Sequence, residues 1–254
     1  MKKTSPAHAT QLHVTLGGQR VGVLALGQDK KIWFEYAPLW VASGFNLAPK
    51  TMAFDAQAQL ARGGVFGGLH GAFSDSLPDG WGLLLMDREL KRRFDWQPYD
   101  ITPLDRLAYI GTRAMGALEY APATAQEPIA NAVDLGQLAQ AAEAVLQGQE
   151  GDVLQQLRIQ GGSPGGARPK VTVARSTSSL TCLSGFQTLP AGYSHWIVKF
   201  RSQGDPRDMG RIERAYADLT AMAAAANGTL FPWLGCCMPT IGFHAWITMP
   251  FWPP

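Results

Sequence analysis

Apolar and polar positions alternate from residue 12 onward: Leu12, Val14 and Leu16 are separated by His13, Thr15 and Gly17. That period of two predicts a strand. Gly17-Gly18 then marks a turn, and Val21 to Leu26 and Lys31 to Tyr36 read as two more strands of an antiparallel meander. No reactive group is placed on it, so it reads as scaffold. Residues 37 to 75 are rich in Gly and Ala, and Ala53 to Arg62 is expected to form a short helix before a run of glycines breaks the pattern.

The period then changes to 3.6. Pro78-Asp79-Gly80 is a turn, with Asp79 or Ser76 as a candidate cap for a helix over Trp81 to Phe94. Leu83, Leu84, Met86, Leu90 and Phe94 share one side of that helix. Asp87, Arg88, Lys91 and Arg92 take the other, which reads as a solvated face. Asp100 to Ile110 predicts a second helix, with Thr102 as N-cap, Pro103 at its first position, Asp105 in the first turn and Gly111 as its end. Met115 to Tyr120 is a short strand. Ala121 to Pro128 is a polar, proline-flanked linker and the best internal boundary. Asp134 to Gln147 is an amphipathic helix. Strands over Lys170 to Arg175 and Tyr193 to Phe200 follow, with an apolar segment Leu180 to Leu183 between them. A long Ala-rich helix runs over Met209 to Ala226.

Composition narrows the class. A chain of 254 residues that is 46% hydrophobic can build one large core or two small ones. A formal net charge of +2 is too small to argue for nucleic acid or an anionic membrane. Cys182, Cys236 and Cys237 are odd in number and two are adjacent, which does not suit a disulfide framework. No Cys/His spacing suggests zinc. The N-terminus lacks the apolar run of a secretion signal, so the expected compartment is the reducing cytoplasm.

Candidate chemistry centres on GGSPGGARPK, residues 161 to 170. Glycines let backbone N–H groups approach an anion, and Arg168 and Lys170 add positive charge, so the stretch reads as a phosphate-covering loop. It is not a Walker A motif, because Lys170 follows Pro169 and no Gly-Lys-Ser/Thr occurs. Downstream, Lys199 lies inside a strand and Glu213 early in a helix. Each has an ordinary reading, as a snorkelling edge lysine and as a carboxylate near a helix N-terminus. Together with the loop they have the layout of a kinase-like N-lobe, where a strand lysine beside the triphosphate is braced by a helical carboxylate.

Several blocks in order strengthen this: VTLGGQRVGVLAL and WFEYAPLW, FSDSLPDGWG, RLAYIGTRAMGALEY, GGSPGGARPK, HWIVKF and IERAYADL. In these the chain resembles the HipA-family toxin kinases of bacterial type II toxin–antitoxin modules, over most of residues 12 to 225. The resemblance implies an α+β fold, with a β-rich N-terminal subdomain over 1–121 and a kinase-like N-lobe of antiparallel sheet plus helices over 122–227. It implies a serine/threonine protein kinase using ATP and Mg²⁺. Ser163 would match the loop serine that family members autophosphorylate. Gly165, Gly166, Ala167, Arg168 and Lys170 would cover the ATP phosphates, with Lys199 as the ATP-binding lysine and Glu213 as its helical partner. The implied partner is a helix-turn-helix antitoxin that binds operator DNA, and implied substrates include aminoacyl-tRNA synthetases.

The resemblance stops near residue 227. The catalytic C-lobe of the family, with its base Asp and Mg²⁺ ligands, has no counterpart here, so neither a catalytic residue nor a metal ligand is assigned. Residues 228–254 contain no Asp, Glu, Lys or Arg and five prolines. Prolines argue against a membrane span, and the stretch is expected to be out of frame or otherwise degenerate, or else an apolar partner-binding tail. The expected product is an inactive N-terminal fragment of a HipA-like kinase whose lobe interface is exposed. The alternatives are a non-catalytic antitoxin- or partner-binding module, and a kinase with unusual catalytic residues.

Overall fold

The computed structural model describes residues 6–61, 64–114, 116–124, 132–149, 157, 165–179, 181–185, 189–202, 204–226 and 245–250. The fold is α+β, with antiparallel sheets and a β-rich N-terminal region. Two compact units divide the chain. The first comprises Met1–Pro78 and Met86–Gln126, and the second Asp79–Leu85 and Glu127–Pro254.

In the first unit, β1 (Gln11–Leu16), β2 (Gln19–Leu26) and β3 (Ile32–Tyr36) form the meander. Gly17 and Gly18, at φ of 57° and 77°, make the two-residue turn that matches the twist of the strands it joins. Sheet order is β4-β3-β2-β1-β5. The edge strands are β4 (Gln59–Leu60) on β3 and β5 (Leu118–Ala121) on β1. The short helices α1 (Pro38–Ser43) and α2 (Gly71–Ser74) lie between β3 and the long helix α3 (Gly80–Phe94), and α4 (Pro103–Ile110) follows. The predicted alternation is seen in burial: Leu12, Val14, Phe34, Tyr36 and Tyr120 are buried and join Phe73, Leu104 and Leu107 in one core. Phe34 and Phe73 pack with ring centroids 4.6 Å apart. The Tyr120 hydroxyl donates to Ser76 Oγ at 2.7 Å, so Ser76 serves this buried pair.

Two expectations fail in this unit. Of the helix expected over Ala53 to Arg62, the described residues 53 to 61 are not helical. The Gln59 side chain instead closes a loop, accepting from Ala53 N at 2.9 Å and donating to Ala53 O at 3.0 Å, and Gln59–Leu60 then pairs with β3. The charged side of α3 is also not simply solvated. Glu89 is fully buried, bound by Arg92 at 2.9 Å, and Asp87 pairs with Arg106 at 3.0 Å.

The second unit is built on a sheet of order β7-β6-β8-β9. Its strands are β6 (Lys170–Ser176), β7 (Cys182–Ser184), β8 (Tyr193–Phe200) and β9 (Ala245–Pro250). Helix α5 (Leu135–Leu146), capped by Asp134, buries Leu138, Ala142 and Val145 against Val171, Val173, Trp196 and Val198. Trp81 and Leu85, in the first turns of α3, belong to this same core. β9 comes from the uncharged stretch expected to be degenerate: Ala245 to Pro250 pair with β8, with Trp246 opposite Lys199. The last helix, α6 (Met209–Ala226), exposes Tyr216, Leu219 and Met222. Among the described residues, no helix is long and apolar enough to cross a membrane.

Candidate phosphate-binding site

The site is assembled by the pairing of two strands. β6 and β8 run antiparallel with Lys170 opposite Lys199. Like charges facing each other across a ladder repel, and here each lysine has its own partner. Lys199 Nζ donates to Glu213 Oε2 at 2.8 Å. Glu213 sits in the second turn of α6, where the helix carries it to the end of β8. Lys170 is only 4% exposed and turns back on the loop before it, donating to the carbonyl oxygens of Gly165 and Gly166, each at 2.9 Å. Burial pulls the Lys170 ammonium below the ordinary lysine range. Asp79 opposes that shift, while Lys199 and Arg168 add to it.

Arg168 is held from the other side. Its Nη2 lies 3.0 Å from Asp205 Oδ1, and its Nη1 lies 3.9 Å from Glu213 Oε1. Asp205 is itself fixed, its Oδ2 accepting from Ser202 N at 3.0 Å and its carbonyl accepting from Arg201 Nε at 3.0 Å. Gly165, Gly166, Ala167, Arg168, Lys170, Lys199 and Glu213, together with Ile197, line a cavity of about 380 Å³. The seven described residues predicted from the sequence therefore share one cavity. The eighth, Ser163, lies outside the described residues.

Two residues of this arrangement were not assigned to it from the sequence. Asp205 belongs to a Gly-Asp-Pro turn, and its only sequence signal is that it follows the lysine strand. From the sequence, Asp79 reads as a helix cap. Its carbonyl does accept from Gly82 N and Leu83 N, but its carboxylate Oδ1 accepts from Gly166 N at 2.5 Å. Trp81 N donates to Gly166 O at 3.2 Å, so the start of α3 and the Gly-rich loop are tied by two bonds within the second unit.

Three cations beside a glycine loop make a place for an anion with several charged oxygens. Two larger cavities in the first unit, of about 680 and 660 Å³, collect no comparable charge. One holds His8, His13 and Asp105, the other Arg20 and Glu35. A polyphosphate fits the small cavity by charge. Mg²⁺ does not fit the protein groups there. It wants several oxygen ligands, and the one carboxylate lining the cavity, Glu213, is engaged by Lys199. No group of three His, Cys, Asp or Glu able to hold a metal occurs among the described residues.

Comparison with known families places the first unit. A meander whose first strand is rejoined by a later strand, packed on short helices, spans residues 12–121, and these match the family model of the HipA N-terminal domain. Residues 12–121 are thereby similar to a HipA N-terminal domain. No curated protein matches the chain in a sequence search.

Proposed function

We propose that the second unit binds the phosphates of ATP, as the nucleotide-binding part of a HipA-like serine/threonine protein kinase toxin. The observation that carries this reading is the Lys199–Glu213 pair, 2.8 Å apart, lining the same cavity as Gly165 to Arg168. A strand lysine braced by a helical carboxylate holds its ammonium where nucleotide phosphates sit beneath a glycine loop. Lys199 and Arg168 supply the charge, and the loop supplies close backbone approach. ATP supplies the transferable phosphoryl group when bound. The likeness of residues 12–121 to the HipA N-terminal domain supports the expected setting, a helix-turn-helix antitoxin as partner, contact with DNA only through it, and a protein substrate such as an aminoacyl-tRNA synthetase.

The charge balance of the cavity favours capture over transfer as the role of these residues. Transfer needs a base for the substrate hydroxyl and oxygen ligands for Mg²⁺, and Glu213 is already committed to Lys199. This is also the observation behind a second reading, a non-catalytic module that holds an antitoxin or another partner. Thermal denaturation with ligand tests the first reading. A ligand at about a hundredfold its Kd adds about 2.7 kcal/mol of stability. ATP is therefore expected to raise the Tm by several degrees, adenosine to leave it unchanged, and Glu213→Gln to reduce the ATP effect. Equal shifts with ATP and adenosine, or none with ATP, would contradict phosphate capture.

A further inference from the structure

The Gly165–Gly166 peptide has an unusual pair of neighbours. Its carbonyl, on Gly165, accepts from Lys170 Nζ at 2.9 Å, and its N–H, on Gly166, donates to Asp79 Oδ1 at 2.5 Å. In a planar trans peptide these two groups point in opposite directions. A buried ammonium at one end and a carboxylate at the other therefore grip a single peptide dipole in its favourable sense. Lys170 lines the cavity and Asp79 does not, so Asp79 holds the loop from the side away from the cavity.

The surrounding residues have little room to do otherwise. Gly166 is at φ 109°, a left-handed conformation that side chains rarely adopt, and a Cβ there would lie 2.9 Å from Lys170 Nζ. Gly80, next to Asp79, is at φ 40°, and a Cβ there would lie 2.8 Å from both Ala167 Cα and Gly166 O. The loop is thus fitted against the start of α3 at backbone distance, and both glycines are required by that fit.

We propose that Asp79 and Lys170 are positioning residues that clamp the Gly165–Gly166 peptide and so hold residues Gly165 to Arg168 at the phosphate cavity before any ligand arrives. The proposal rests on the nucleotide reading for its purpose, but the clamp itself is a property of the ligand-free chain. Lys170, although the most buried cation of the cavity, then acts on phosphates through the loop and not by direct contact. Asp79 contributes to anion binding even though it carries the same sign of charge as the ligand. Such a preset loop avoids the ordering cost that a flexible glycine segment otherwise incurs on binding.

Two readouts on the full chain test this. The first is amide hydrogen exchange by NMR without ligand. The Gly166 amide is expected to be protected in the wild type and to exchange about tenfold faster or more in Asp79→Ala, the loss expected for a hydrogen bond to a charged group. Asp79→Asn, which keeps an acceptor and the helix start, is expected to fall between the two. Equal Gly166 exchange in all three overturns the clamp. The second readout is fluorescence titration with mant-ATP and with mant-adenosine. Asp79→Asn is expected to weaken mant-ATP several-fold and to leave mant-adenosine unchanged. Unchanged mant-ATP affinity overturns the positioning role, as does an equal loss for both probes. If the wild type binds neither probe, the nucleotide reading fails, and the exchange experiment still decides the clamp.

Discussion

His70 shows how one buried residue sets a condition on the whole first unit. It is 4% exposed and sits between Phe34 and Phe73, at ring distances of 6.2 and 6.1 Å. Burial depresses its affinity for a proton below the ordinary imidazole value of 6.5, and the Gln59 carbonyl 3.4 Å away offsets part of this. Between the depressed folded value and 6.5, the unfolded chain binds more protons than the folded one. Stability therefore rises with pH through that window and is lost as pH falls below about 6.5. Urea denaturation between about pH 7.5 and 5.5 is expected to show the wild type weakening by up to about 1.4 kcal/mol per pH unit from this group. His70→Asn is expected to lose less over the same range. Identical pH slopes for the two would contradict it. The same scale shows what single residues can hide. Asp79 and Lys170 both looked like local features, a cap and a loop cation. Their shared peptide is visible only when residues 79 and 166 are brought together.

At the scale of elements, local signals worked where the chain's chemistry is local. Helix α4 is the clearest case. Thr102 accepts from Asp105 N at 3.1 Å and Asp105 accepts from Thr102 N at 2.8 Å, a complete capping box with Pro103 at the first position. Thr102→Ala is expected to cost about 1 kcal/mol in equilibrium unfolding, while a substitution at the exposed Tyr99 should cost much less. Equal effects would argue against the cap. The strands of the meander were equally legible, because alternation and a Gly-Gly turn are properties of adjacent residues. Elements set by distant contacts were not. Residues 53 to 62 have helical composition, yet Gln59 ties back to Ala53 and pairs with β3. The pairing of Glu89 with Arg92 and Arg93 is local, at i,i+3 and i,i+4, but the full burial of Glu89 is set by what packs over α3 and not by the helix's own spacing. β9 lies in a stretch without charges or family pattern, and its register against β8 had no local signal at all.

For the whole molecule, the division into two units separates the part with a family likeness from the part with the candidate site. Residues 12–121, similar to the HipA N-terminal domain, supply that likeness. The second unit supplies a cavity in which loop, lysine and carboxylate meet. The residue types of that site were legible from spacing and resemblance. The facing of Lys170 and Lys199 across β6 and β8 was not, since it depends on strand register. Neither was the commitment of Lys170 to the loop carbonyls, which makes Lys199 the cation with the clearer path to a ligand. Capture of ATP therefore turns on Lys199. The most direct measurement is an isothermal titration of ATP into the wild-type chain and into Lys199→Ala. Loss of a charge-assisted contact worth about 1.5–3 kcal/mol is expected to weaken ATP binding by about tenfold or more, with the fold retained by circular dichroism. ATP affinity unchanged by Lys199→Ala, or no ATP binding by the wild type, would contradict the account.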